Sequence, residues 1–115
     1  MTASENQIQV VVELNADHAI FKGHFPGQPV LPGVCMMQMI AEITGEYLRQ
    51  PFRIISAPMI KFLHMIDPRK NPQIHLEIKY QSAPASTNTS GKIFLASEIF
   101  MKFQVNLQVS SPNQS

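Results

Sequence analysis

The segment from Gly33 to Arg49 limits the fold more than any other. Val34, Cys35, Met36, Met37, Met39, Ile40, Ala41, Ile43, Tyr47 and Leu48 occupy most of the circumference of a helix. Gln38, Glu42 and Glu46 recur every four residues as one narrow polar stripe, which Arg49 continues. A helix this apolar is expected to be buried on most sides. Gly45 costs about 1 kcal/mol relative to Ala inside a helix, a cost that close packing would offset. Pro51 ends the segment, because proline cannot continue a helix.

The surrounding chain supplies the cover. Ile8 to Leu14 is rich in β-branched residues and predicts a strand. Asn15 to Pro32 is a loop in which Gly23, Pro26, Gly27 and Pro29 fall too close together for a helix. Phe52 to Met65 is extended and interrupted by Pro58, and a turn follows over Asp67 to Pro72. Ile74, Leu76, Ile78 and Tyr80 alternate with polar residues, the period of a half-buried strand. Ser82 to Gly91 is predicted as a polar loop. Lys92 to Val109 is predicted as strand, bent or turned near Ser97-Glu98. Ser110 to Ser115 is a polar tail. One apolar helix after a first strand, followed by antiparallel strands, is an α+β layout. The expectation is a single domain over residues 1–115, with the helix enclosed by a sheet of about five or six strands.

Composition narrows the function classes. The 115 residues are 44% hydrophobic and 15% charged, which suits a globular fold. A formal net charge of +1, with nine scattered Lys and Arg, lacks the basic footprint of a nucleic-acid binder. No apolar run approaches the roughly 18 residues of a membrane span. Met1 to Gln7 is polar and unlike a secretory signal, so a cytoplasmic location is expected. A single cysteine, Cys35, gives no disulfide framework and no thiolate metal site. No metal and no organic cofactor is expected.

The chemistry is concentrated in Phe21-Lys22-Gly23-His24-Phe25-Pro26-Gly27-Gln28-Pro29-Val30-Leu31-Pro32-Gly33-Val34. His24 sits on a loop stiffened by prolines, just before a helix start at Gly33, where backbone N–H groups lack partners and the helix dipole is positive. This segment resembles the motif of the 3-hydroxyacyl-[acyl carrier protein] dehydratases, which are hot-dog proteins. Their long central helix is wrapped by an antiparallel sheet, and they usually pair into dimers. The resemblance extends more weakly to Ile60-Lys61-Phe62 and Ile66-Asp67-Pro68. It implies that His24 abstracts the α-proton of an acyl thioester and that the Gly33 amide binds the thioester carbonyl. A neutral imidazole and a helix N-terminus suit those roles. It further implies that Phe25, Pro32 and Val34 flank the bound substrate.

The chain departs from that family pattern on the helix. The acidic residue that normally follows the histidine, and acts across the dimer interface, is replaced by Gln38. An amide offers hydrogen bonds but no titrating proton, and general acid–base help is typically worth about 10²–10⁴-fold. Glu42, one turn on, stands where many members have Gln, so it is a second candidate for the acid. The plain alternative is that Gln38, Glu42 and Glu46 form only a polar stripe. His18, His64 and His75 are expected in loop, surface or packing roles. Met36, Met37 and Met39 are expected in the core, with some able to line an acyl tunnel, and Cys35 is expected as a small buried residue. Three functions stay open. The first is a dehydratase-like enzyme in fatty-acid or specialised lipid synthesis, with acyl carrier protein or acyl-CoA thioesters as substrates and a homodimer as the assembly. The second is a thioesterase on the same fold. The third is a non-catalytic subunit that binds acyl chains or pairs with a dehydratase.

Overall fold

A computed structural model of the chain describes residues 6–15 and 30–110. Its elements are β1 (Gln7–Glu13), α1 (Gly33–Leu48), β2 (Phe52–Phe62), β3 (Gln73–Ser82), β4 (Thr87–Leu95) and β5 (Glu98–Val109). The strands form one five-stranded sheet in the order β1-β3-β4-β5-β2. All four neighbouring pairs are antiparallel.

The period-two pattern sets the inner face. Ile74, Leu76 and Ile78 of β3, Ile93 of β4, and Met101, Phe103, Val105 and Leu107 of β5 are buried in one core. The outer face carries the polar residues between them, such as Gln9 beside Glu77 and Arg53 beside Gln108. Lys92 lies over the Phe94 ring, and His75 stacks on its side. Pro58 sits in β2, an edge strand, where its missing N–H breaks no inner ladder. The register shifts between Ile54 and Ser56 and again between Ser56 and Met59, the step that contains Pro58.

One expectation about the strands changes. Thr87 to Gly91 is strand, not loop. Thr87 and Thr89 turn inward and are buried, and Thr89 Oγ1 donates to the Val105 carbonyl at 3.0 Å. Lys92 to Val109 is strand with the turn expected near Ser97-Glu98. It divides at Ala96-Ser97, with Ala96 at φ 54°, into the last part of β4 and all of β5. The turn expected after β2 is present. Asp67 accepts from the Arg69 backbone N–H at 2.8 Å and from its guanidinium at 3.2 Å. Those bonds, the side-chain one foremost, hold the Asp67 carboxyl below its ordinary pKa.

The helix differs more. It has 16 residues, hence a length of about 24 Å, and it is short. Met36, Ile40, Ala41 and Thr44 are its buried residues, so it rests on the sheet by one stripe. Val34 and Tyr47 are exposed, and Cys35, Met37, Met39, Ile43 and Leu48 are only partly covered. The expectation of a long helix enclosed by the sheet therefore does not hold within one chain. A single five-stranded layer covers only the side of a helix that faces it. Arg49, expected within the helix, caps it in the left-handed region.

Candidate functional site

The chain enters α1 through Pro32, which is extended at φ −65° and ψ 147° and has no capping side chain. Its carbonyl accepts from the Cys35 and Met36 amides at 3.0 and 3.2 Å. Among the described residues no acceptor meets the Gly33 or Val34 amide. Those two N–H groups are the ones a helix start leaves to a ligand. The entry is held in place by the Leu31 N–H, which donates to the Ile66 carbonyl at 2.9 Å.

A cavity of about 550 Å³ opens at this point. Leu31, Pro32, Gly33 and Met36 line one side, and Phe62, Leu63, His64 and Met65 line the other. Apart from the imidazole, these side chains are apolar. The Phe62 ring packs directly on the Gly33 backbone: a Cβ at position 33 would lie 2.8 Å from its Cζ. The glycine that starts the helix therefore has a packing reason to be glycine, besides any role for its amide.

The predicted site residues are not all brought together. Gly33 and Pro32 line the cavity, whereas Val34 is 73% exposed and lies outside its lining. His24 and Phe25, with His18, lie outside the described residues. Gln38 and Glu42 are both exposed, and Gln38 Nε2 donates to Glu42 Oε2 at 2.9 Å. They stand two positions on from Met36 and Ile40, about 200° around the helix, on the side away from the sheet. They cannot turn into the cavity of their own chain. Of the methionines, Met36 lines the cavity, while Met37 and Met39 are partly buried against the core. Cys35 is likewise partly buried.

His64, expected in a surface or packing role, is exposed and also lines the cavity. It follows the end of β2 and has Nδ1 3.7 Å from Glu98 Oε2. No motif or spacing marks it. Its place beside Gly33 depends on the pairing of β2 with β5, which brings His64 N–H to the Phe100 carbonyl at 3.3 Å.

The helix-on-sheet arrangement is that of hot-dog proteins, here with a short helix. A protein from Erwinia carotovora subsp. atroseptica superposes with a TM-score of 0.72 at 24% identity, over 95% of this chain and 88% of that one. The dehydratase heterocomplex ApeI:P from Xenorhabdus doucetiae gives 0.71 at 19% identity, over 94% and 92%. The acyl-CoA hydrolase of Staphylococcus aureus, in complex with butyryl coenzyme A and coenzyme A, gives 0.60 at 11% identity, over 97% and 70%. Residues 1–97 match the model of the ApeI-like family, ApeI dehydratase, and the chain belongs to that family. The 3-hydroxyacyl-[acyl-carrier-protein] dehydratase FabZ of Klebsiella pneumoniae is 40% identical over 38 residues. That match takes in 33% of this chain and a quarter of the length of the curated relative.

Proposed function

We propose that this protein is a dehydratase-like enzyme acting on 3-hydroxyacyl thioesters carried by acyl carrier protein or coenzyme A. Its setting is fatty-acid or specialised lipid synthesis in the cytoplasm. The observation that supports this reading is the helix start: the Gly33 and Val34 amides meet no acceptor among the described residues, and Gly33 lines an apolar cavity. Such a cavity suits an acyl chain and such a terminus suits a carbonyl that gains charge. His24 takes the proton from C2, and the thioester oxygen gains enolate character against the amides. The electron pair then forms the C2–C3 double bond as the C3–O bond breaks. The imidazolium returns its proton to the leaving oxygen, so water departs and a trans-2-enoyl thioester remains.

Gln38 and Glu42 join this site from a second subunit, because they face away from the cavity of their own chain. The assembly is a two-fold homodimer, the commonest closed symmetry. The test is turnover of 3-hydroxyacyl thioesters by the parent, His24→Ala, Gln38→Glu and Glu42→Gln. The parent turns over slowly, His24→Ala abolishes the reaction, and Gln38→Glu raises the rate by about 10²-fold or more, within the range of general acid help. Activity that survives His24→Ala would overturn the role of His24. A non-catalytic partner subunit is the second reading, favoured by Gln38 itself. It predicts no turnover by the chain alone and activity only with a fully equipped dehydratase. Release of free thiol without dehydration would instead mark a thioesterase.

A further inference from the structure

We propose that the outer face of the sheet is a docking surface for an anionic lipid bilayer. The inference does not depend on the thioester reading above. The nine Lys and Arg are scattered along the sequence, but the strand register gathers five of them on this face. Lys102 lies between the buried Met101 and Phe103, so its side chain is turned outward. Lys61 of β2 and Lys92 of β4 stand directly opposite it on either side. Residues directly opposite share a face, and neighbouring strands are about 4.8 Å apart, so the three lysines form one row about 10 Å long. Lys79, two residues on from Glu77, and Arg53, opposite Gln108, are turned the same way. Among the described residues the acids on this face are Glu13 and Glu77. Five cations against two acids leave it a net +3, where the whole sequence carries +1.

The row is unfavourable by itself, because like charges directly opposite one another destabilise a sheet. Among the described residues the ion pairs are His64 with Glu98 and Arg69 with Asp67, so none of the five cations has a carboxylate partner. An anionic surface laid on the face supplies the counter-charge. The cations are spread over four strands. Lys102 and Gln108, the neighbour of Arg53, are six residues apart on β5, hence about 20 Å. A small anion is held by groups that converge on it, whereas a spread of this kind matches a plane of lipid headgroups. The row also borders an apolar strip. Val11, 54% exposed, stands opposite His75, which stacks on Phe94 at 5.4 Å, and Ile99 stands opposite Phe94. Such side chains enter the headgroup layer while lysines keep their ammonium groups among the phosphates. The acids Glu42 and Glu46 belong to the helix on the other side of the sheet and do not oppose the approach.

The experiment sediments the full-length protein with vesicles of phosphatidylcholine alone and with vesicles of phosphatidylcholine and phosphatidylglycerol in a two-to-one mixture. One basic group near an anionic membrane is worth about fivefold in partitioning, so a net of three favours the anionic vesicles by about 10²-fold at about 0.1 M salt. That preference is expected to vanish at about 1 M salt, where the screening length falls to about 3 Å. Lys102→Gln, at the middle of the row, should lower it by about fivefold, and Lys61→Gln, Lys92→Gln and Lys102→Gln together by about 10²-fold. Glutamine relieves the like-charge contacts, so these variants keep their fold, which a thermal melt checks. Arg49→Gln with Lys70→Gln removes two charges outside the sheet and should change the preference by about twofold or less, since exposed charges beyond about 10 Å are screened. Equal partitioning of the parent between the two vesicles, or an equal loss in the Arg49 and Lys70 control, overturns the inference. A parent that binds a labelled poly-glutamate peptide and neither vesicle also overturns it, and assigns the face to an acidic protein.

Discussion

A methyl group added at Gly33 would stand 2.8 Å from Cζ and 3.1 Å from Cε1 of Phe62. The clash falls on the far end of a side chain that is 52% exposed, so the ring can swing away at modest cost. Gly33→Ala is therefore expected to lose about 1 kcal/mol of stability, the low end for overpacking. Phe62→Ala in the same chain should recover that loss. Chemical denaturation of the two single variants and the double variant checks it. A coupling energy within about 0.5 kcal/mol of zero would mean that the two residues act independently. Gly33 was legible in the sequence because it follows two prolines at the head of an apolar helix. Phe62 was not legible as its neighbour, since the contact crosses from α1 to β2.

Among the elements, α1 has the clearest unfilled capacity for stability. It ends with Arg49 at φ 59° and ψ 42°, while the Gln50 N–H returns to the Gly45 carbonyl at 3.0 Å. The left-handed region costs an L-residue about 1–2 kcal/mol, and glycine is the usual occupant of this position. Arg49→Gly is expected to stabilise the protein by about 1 kcal/mol, which for a domain of this size raises the melting temperature by about 4 °C. A thermal melt that is unchanged or lowered would show that the Arg49 side chain contributes more than its backbone costs. Pro51 signalled this helix end in the sequence. The start of β4 was hidden, because Ser, Thr, Asn and Gly are turn residues by composition. Thr87 and Thr89 become strand residues only when β3 and β5 flank them and the Thr89 hydroxyl finds the Val105 carbonyl.

For the molecule as a whole, among the described residues the uncovered side of α1 and the outer edges of β1 and β2 are left without partners in one chain. Val34 and Tyr47 on the helix, Ile55 and Phe62 on β2, and Leu63 and Met65 beyond it are large apolar side chains that remain exposed. A strand edge of 11 residues that no described residue pairs is a template for pairing. Light scattering at micromolar concentration is expected to report twice the mass of the 12.9 kDa chain. Lys or Glu at Ile55 is expected to shift that mass towards a single chain, because a charge on a paired edge must be desolvated or expelled. A monomeric mass for the parent would leave Gln38 and Glu42 with no cavity to complete.

Some of this protein follows from the order of its residues alone. Alternation along β3 and β5 gives the inner and outer faces, and Pro32, Gly33 and Pro51 bound the helix. Those signals are local, carried by neighbours in the chain or by one turn of helix. The sequence also shows a helix too apolar to be left bare, but not what covers it. The tertiary structure decided that one sheet covers one stripe, that Phe62 meets the helix start, that His64 lines the same cavity, and that Gln38 and Glu42 lie on the helix face away from the sheet. Each of these depends on contacts between residues far apart in the chain, and no period in the sequence encodes such distances.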